Sequence, residues 1–406
     1  MRLGPDNSGA HLTYCTNIHP GETWEEVSHA LKVHLPAVKA QLCPDQEFGV
    51  GLRLSAATVR DLAAPEAFAE LQDILDSGGM YVFTINGFPY GTFHGARVKE
   101  EVYQPDWRTH DRLAYSDQLA DLLARLLPED GAIEGSISTV PGGFKPDVQG
   151  PDTIRAMTDN VLRHVAYLVH LRRVTGRTIA LALEPEPCCV LETTEEAVNA
   201  FKRHLFNGAA VTQMVKYTGA SRAEAEADLH RHVGICLDLC HAAVEFEDPD
   251  EAVDALQAAG IAIPKVQISA GLRLPKVSKA DIARIRPFDD AVYLHQVVAR
   301  TARGLERYLD LGDAINTFKE AENPEWRVHF HVPIFLGELD GFATTRDAVE
   351  QFLARQVRDP VTRHLEVETY TWDVLPEEHR GNDVVTNIVK EMQWARAQLD
   401  GQPGGE

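Results

Sequence analysis

The 406-residue chain is 44% hydrophobic and 25% charged, a composition that predicts a globular protein with a large core rather than a disordered one. Its formal net charge of -22 disfavours a nucleic-acid partner, because proteins that bind phosphate backbones concentrate Lys and Arg on one face. The sequence has no apolar run of about 18 residues and no signal-peptide pattern, so we expect a cytoplasmic protein that does not insert into a membrane. Its six cysteines form no CxxC pair, which favours reduced, buried thiols.

Strand and helix patterns alternate along the chain. Nine short apolar runs predict strands: "HLTYCTNIH", "EFGVGLRLS", "MYVFTINGF", "AIEGSISTV", "TIALALEPEP", "VGICLDLCH", "IPKVQISAG", "RVHFHVPIF" and "HLEVETYTW". Between them lie patterns with apolar residues three and four apart, such as "PDTIRAMTDNVLRHVAYLVHLRRVTG", which predicts a helix ending at Gly176. Repeated alternation is typical of a parallel sheet, and about eight repeats favour a closed (β/α)8 TIM barrel over an open sheet.

We predict one barrel domain over residues 1–398 and a disordered tail over 399–406. Nine strand candidates for eight places require one strand outside the barrel, so we expect an inserted excursion at about 271–327, before the last strand. Helical patterns flank "HLEVETYTW" on both sides, which favours that run over "RVHFHVPIF" as the eighth barrel strand.

Polar residues follow the apolar part of four predicted strands. They are Glu184, Glu186, Asp238, His241, Gln267, Glu366 and Glu368. One buried carboxylate is as often half of an ion pair, but four strands with the same pattern indicate a shared site, because the carboxyl ends of barrel strands face the active site. An oxygen-rich set suits a divalent ion such as Mg2+, Mn2+ or Co2+, with Zn2+ a further possibility.

Several motifs resemble known families. "EPEP" resembles the E-P-x-P metal strand of xylose isomerases, "DLCH" the D-x-x-H strand of ketose epimerases, and "VQISAG" the Gln-bearing strand of hydroxypyruvate isomerases. The chain therefore resembles the xylose isomerase-like TIM-barrel superfamily of sugar phosphate isomerases and epimerases. More closely, "TINGFPYGTFHG", "SISTVPGGFK", "HFHVP" and "LEVETYTWDVLP" resemble the EboE family of metabolite traffic proteins.

The superfamily resemblance implies a set of metal ligands. They are Glu184, Asp238, Gln267 and Glu368, with His241 beside them as a contact to substrate or to a second metal. Glu186 stands where xylose isomerases carry a lysine, so the choice between Glu184 and Glu186 as ligand stays open. "HFHVP" resembles the last metal strand of xylose isomerases, so His331 either competes with Glu368 as the last metal ligand or binds a second metal.

The predicted function is a metal-dependent isomerase or epimerase of a small polyhydroxylated metabolite, in an Ebo-type metabolite pathway. In such a reaction a divalent ion stabilises the enediolate form of the substrate, and two carboxylates remove and return the substrate proton. The resemblance implies Glu184 or Glu186 and Glu368 as acid and base, with His241 nearby. The alternatives are a non-catalytic binding or trafficking barrel and, less favoured, a metal-dependent hydrolase or endonuclease, which would need more His ligands and a basic groove.

Four further residues are candidates for binding the substrate. Asn86 and Lys99 lie in or next to a long aromatic and Gly-rich loop after the third strand, of the kind that covers a site. Arg273, six residues after Gln267, would anchor a carboxylate or phosphate, although a surface ion pair is an equal alternative. Trp372 would stack against the face of a sugar ring or pack at the rim of the barrel. A small-molecule metabolite is the expected partner, and a homo-oligomer is possible.

Overall fold

A computed structural model describes residues 1–4, 9–94, 97–129, 131, 133–375 and 383–401. Most of the predicted tail, residues 402–406, lies outside the described residues. Among the described residues, no helix combines the length and the apolar character that crossing a membrane requires.

The strands fall into two sheets. In chain order they are β1 (His11–Tyr14), β2 (Phe48–Arg53), β3 (Met80–Asn86), β4 (Gly135–Thr139), β5 (Ile179–Leu183), β6 (Val233–Asp238), β7 (Ala262–Ile268), β8 (Ala270–Leu274), β9 (Val297–Thr301), β10 (Gly304–Tyr308), β11 (Glu325–Val332), β12 (Glu338–Leu339), β13 (Phe342–Thr344) and β14 (His364–Val367). The first sheet has the parallel order β1-β14-β7-β6-β5-β4-β3-β2. A parallel bridge between Cys15 and Gly51 joins its two ends. The predicted (β/α)8 barrel is therefore confirmed.

The α-helices pack around the barrel, except two that lie within the insertion. They are α1 (Trp24–Leu42), α2 (Ala56–Asp61), α3 (Pro65–Gly78), α4 (His110–Leu126), α5 (Gly150–Thr175), α6 (Thr194–Ala200), α7 (Gly208–Thr218), α8 (Arg222–His232), α9 (Leu239–Val244), α10 (Pro249–Ala258), α11 (Lys279–Ile285), α12 (Leu311–Thr317), α13 (Arg346–Arg358) and α14 (Val384–Leu399). The predicted "PDTIR" helix is α5, and it ends at Gly176, whose φ of 73° is the left-handed conformation that glycine adopts without strain. The apolar core fills the space between strands and helices.

The insertion forms a second, antiparallel sheet with the order β10-β9-β11-β8-β13-β12. Its strands run from Ala270 to Thr344, so this sheet extends beyond the expected range of about 271–327. Only Ser269 separates β7 from β8, so the chain leaves the barrel for the second sheet at the barrel mouth. The run "RVHFHVPIF" contributes β11 to that sheet, and the eighth barrel strand is β14, as the flanking helices predict.

Candidate metal centre

Three carboxylates meet at the carboxyl end of the barrel. Asp238 is the last residue of β6, and Glu184 and Glu368 each follow the end of a strand by one residue. Each offers one oxygen, and these three oxygens lie within 4.8 Å of one another. All three residues are buried, with exposures of 3%, 1% and 4% for Glu184, Asp238 and Glu368. The shared orientation of parallel strands thus concentrates negative charge at one buried point.

Hydrogen bonds satisfy only part of this carboxylate group. Glu368 Oε1 accepts from Asn17 Nδ2 at 2.7 Å and from Asn86 Nδ2 at 3.0 Å. Asp238 Oδ1 accepts from Ser269 Oγ at 2.7 Å and from the backbone N–H of His241 at 2.9 Å. Within the described part of the chain, Glu184 Oε2 and Asp238 Oδ2 have no hydrogen-bond partner. Buried oxygens without partners are costly unless a cation compensates them, and this donor set fits a divalent ion.

The pKa values of the three carboxyl groups are shifted in different directions. Burial, reinforced by the neighbouring carboxylates, raises the pKa of Glu184 and of Glu368 well above its ordinary value. Burial also acts to raise the pKa of Asp238, but His241 and His331 and the hydrogen bonds to its carboxylate lower it overall. Asp238 is therefore the group best placed to stay ionised and anchor a cation.

Three imidazoles form a second group next to the carboxylates. His241 Nε2 lies 3.0 Å from His329 Nε2, which lies 3.3 Å from His331 Nε2. The opposite ring nitrogens are already engaged: Nδ1 of His241 contacts the carbonyl oxygen of Pro185 at 3.0 Å, and Nδ1 of His331 contacts that of Glu368 at 2.8 Å. Because a carbonyl oxygen only accepts, both Nδ1 atoms must carry the proton.

The same reasoning fixes the tautomer of His329. Its Nδ1 lies 2.7 Å from Gln296 Oε1, and Gln296 Nε2 donates to Tyr103 Oη at 2.8 Å and to the carbonyl oxygen of Pro187 at 3.2 Å. Burial lowers the pKa of His329 well below its ordinary value and that of His331 to about 4, so both rings are neutral at pH 7. The Nε2 lone pairs of His329 and His331 then face each other with His241 Nε2 beside them, an arrangement that a shared cation would stabilise.

The two groups share Asp238. One ligand atom each of Asp238, His241 and His331 lies within 4.8 Å of the others, and the same holds for Glu186, His241 and His329. The structure therefore separates the two glutamates between which the sequence left the choice open. Glu184 joins the carboxylates, whereas Glu186 faces the imidazoles and accepts from Tyr103 Oη at 2.7 Å. Burial raises the pKa of Glu186.

A small cavity of about 60 Å³ opens onto both groups. Its aromatic and polar wall includes Asn17, Asn86, Phe88, Phe93, Lys99, Tyr103, Tyr293 and Tyr370. Asn86 and Lys99 thus line this cavity, and their contact with a substrate stays a prediction. Lys99 Nζ is already paired, at 2.5 Å from Asp310 Oδ2 and 3.0 Å from the carbonyl oxygen of Asp290. Its charge is therefore compensated by the insertion.

Gln267 stays a predicted metal ligand, whereas Arg273 and Trp372 lie away from the cavity. Gln267 is fully buried in register with Asp238; its Oε1 accepts from Cys236 Sγ at 3.2 Å and its Nε2 has no partner among the described residues. Arg273 lies on β8, where it contacts Glu325 at 2.9 Å and Asp347 at 3.1 Å. It does not reach the cavity, because the chain changes sheets at Ser269.

Trp372 also departs from the expected position. It is buried in the apolar core and does not line the cavity, because a short 3-10 helix over Thr371–Asp373 turns the chain after β14. Tyr370, two residues earlier, lines the cavity instead.

Sequence reasoning missed His329 and Tyr103. His329 and His331 are two apart on a strand, so their side chains lie on the same face, and this H-x-H spacing was the available signal. Nothing in the local sequence around Tyr103 indicates its contact with Glu186, since 83 positions separate the two residues.

Comparisons with solved structures find proteins of low sequence identity that align over most of this chain. The chain is similar to a xylose isomerase-like TIM barrel protein from Mycobacterium smegmatis in complex with magnesium, with 12% identity, a TM-score of 0.49 and coverage of 97% of this chain and 98% of that chain. It is also similar to the IOLI protein with a binding zinc atom, with 10% identity, a TM-score of 0.45 and coverage of 97% of this chain and 100% of that chain. A third similar structure is the probable 3-DHS dehydratase AsbF from Bacillus anthracis, with 12% identity, a TM-score of 0.45 and coverage of 94% of this chain and 97% of that chain.

The assignment of the fold to the TIM barrels rests on the closed order of eight parallel strands. No protein-family model and no curated protein matches the chain. The more specific resemblance to EboE proteins finds no support in these comparisons.

Proposed function

We propose that this protein is a metal-dependent isomerase or epimerase of a small polyhydroxylated metabolite. The observation that carries the proposal is the pair of buried donor groups that share Asp238, one with unpartnered carboxylate oxygens and one with converging imidazole nitrogens. Glu184, Asp238 and Glu368 would hold one divalent ion, and His241, His329 and His331 a second. Such an ion supplies electrostatic stabilisation of negative charge that develops on substrate oxygens.

The donor types bear on the choice of metal. Carboxylate oxygens suit Mg2+ or Mn2+, whereas imidazole nitrogens suit Zn2+ and Co2+. We therefore propose an oxygen-rich position and a nitrogen-rich position with different metal preferences.

Glu186 is the proposed proton carrier. It is buried at the cavity wall, and burial raises its pKa towards neutral pH. A carboxylate is a more effective general base when its pKa lies nearer the working pH. Tyr103 donates to Glu186 Oε1 and orients the carboxylate, and Gln296 lies 3.4 Å from the same oxygen. Asn17 and Asn86 hold Glu368 in place. The aromatic residues of the cavity wall would exclude water from one face of a bound metabolite.

Metal analysis of the purified protein and a solvent-deuterium exchange screen test the proposal together. Chelator-stripped protein should gain thermal stability from Mn2+, Mg2+, Co2+ or Zn2+, by about 3 kcal/mol at a hundredfold excess over Kd. Deuterium should enter a ketose at the carbon next to the carbonyl, and Glu186→Gln should slow this exchange about a hundredfold or more. The exposed Glu25→Gln variant is the matched control.

Two outcomes would redirect the proposal. Metal binding without exchange on any ketose, sugar phosphate or hydroxypyruvate would favour the non-catalytic binding or EboE-like trafficking alternative. If no metal changes the melting temperature, the metal centre itself is wrong. The roles of Glu368 and His331 are separated by Glu368→Gln and His331→Ala, compared for exchange rate and for metal content.

A hydrolase is the second candidate, and the imidazole group favours it. Two neighbouring metal positions stabilise the attacking and leaving oxygens of a displacement at phosphorus. The sequence disfavours this class partly because it shows too few His ligands, but three His side chains converge in the structure. The small cavity and the net charge of -22 weigh against a nucleic-acid substrate. Metal-loaded protein assayed with bis-p-nitrophenyl phosphate distinguishes the two: hydrolysis without ketose exchange would support the hydrolase.

A further inference from the structure

A second cavity lies outside the metal centre, between α5 and the connection that follows β5. It measures about 320 Å³, within the range of small-molecule sites. Its wall is mostly apolar and includes Ile154, Met157, Val161, Leu183, Leu191 and Phe201. A cavity of this size and character is suited to an apolar molecule rather than to a sugar.

Irregular backbone builds one side of this cavity. Phe201–Leu205 forms a π-helix directly after α6, a rare element that occurs often at functional sites. The wide turn brings Phe201, Arg203, His204 and Leu205 to the cavity wall together. The apolar pair Phe201 and Leu205 is buried, whereas Arg203 is exposed.

The mouth of the cavity carries an uncompensated positive charge. Glu196 also lines the cavity, and its carboxylate accepts from Lys145 Nζ at 3.0 and 3.1 Å, an ammonium group that it shares with Glu192 Oε2 at 2.6 Å. Within the described part of the chain, Arg203 makes no ion pair. An apolar chamber with a free guanidinium at its rim is unusual on a chain with a net charge of -22.

We propose that this cavity binds a small amphiphile with an apolar tail and a carboxylate head. The tail lies between Met157, Val161 and Phe201, where burial of apolar surface drives binding. The head lies at Arg203, whose planar guanidinium recognises a carboxylate. The inference does not rest on the proposed function, because no residue of the metal centre lines this cavity.

Titration of the full chain with decanoate, below its micelle concentration, tests the proposal by calorimetry. Decanoate should bind at one site, with decylamine binding at least about fivefold more weakly, since its head carries the opposite charge. Arg203→Glu should weaken decanoate by about fivefold or more and leave decanol unchanged. Lys202→Glu makes the same charge change at an exposed neighbour that does not line the cavity, and should alter affinity less than about twofold.

Two blocking variants test the location. Ala200→Phe narrows the chamber and Asn199→Trp covers it from an exposed wall position, so a folding defect in one leaves the other informative. Each should lower decanoate affinity about tenfold, the loss expected when one bulky group displaces part of the tail. Failure of decanoate to bind, equal binding of decylamine, or full binding to both blocked variants would overturn the proposal. Sedimentation showing a dimer that both variants dissociate would assign the cavity to a second copy instead, and would also overturn it.

Discussion

The interior of the barrel contains a fully buried ion pair directly beneath the candidate metal centre. Lys265 Nζ lies 2.6 Å from Glu366 Oε2, and both side chains have 0% exposure. Ser138 Oγ, at 3.2 Å, also contacts the ammonium group. Burial opposes the charge of Lys265, but Glu366 raises its pKa overall. We predict that removing one partner lowers the free energy of unfolding far more than removing both partners together.

The perturbation is Lys265→Met, which keeps the length of the side chain but removes its charge. The carboxylate of Glu366 then remains buried without a cation, and loss of one partner of such a pair costs about 3–5 kcal/mol of unfolding free energy. Lys265→Met combined with Glu366→Gln removes both charges, so we expect that double variant to recover all but about 1–2 kcal/mol. The measurement is urea denaturation of both single variants and the double variant, followed by circular dichroism.

The dependence on pH supplies an internal check. In Lys265→Met, burial keeps the pKa of Glu366 above its value in the unfolded chain. The folded state then retains a proton that the unfolded chain releases, so the penalty should shrink as the pH falls from 7 towards about 5. The reasoning is refuted if Lys265→Met costs less than about 1 kcal/mol, or if the two single penalties simply add in the double variant.

Three further changes test other parts of the structure. Gly51→Ala should destabilise the protein by several degrees in Tm, because a Cβ there would clash with Glu366 Oε1. Glu391→Gln should flatten the pH dependence of Tm: burial raises the pKa of Glu391 from 4.5 to about 7, so wild-type stability falls as the pH rises through that window, by up to roughly 3 kcal/mol. Tyr103→Phe removes a hydrogen bond that lowers the pKa of Glu186, so the acidic limb of the pH–rate profile should move to higher pH; an unmoved limb would remove Glu186 from the proton transfer.

The barrel could be predicted from sequence because its signals are local. Each barrel strand is a short apolar run, and every barrel strand except β7, which leads into the second sheet, is followed by a helix. The polar ends of β5, β6 and β14 converge for the same reason, since parallel strands bring their carboxyl ends to one mouth. The eighth strand was likewise identified from the helices on either side of it.

The second sheet could not be delimited in this way. Its strand β11 has the same apolar character as a barrel strand, and what distinguishes it is antiparallel pairing with β8 and β9, which depends on residues more than twenty positions away. The expected contact of Arg273 with a substrate failed for this reason. Six residues after Gln267 would still be near the mouth in a simple βα connection, but here the chain has already turned into another sheet.

The contribution of the insertion to the site follows from where the two sheets meet. β7 passes into β8 at Ser269, whose hydroxyl donates to Asp238, and β8 pairs with β11. This pairing brings His329 and His331 over the barrel mouth, next to His241. The carboxylate group comes from barrel strands, while two of the three imidazoles come from the second sheet. Asp238 lies at the junction and belongs to both groups, so the inserted sheet is part of the candidate site and not an appendage to the barrel.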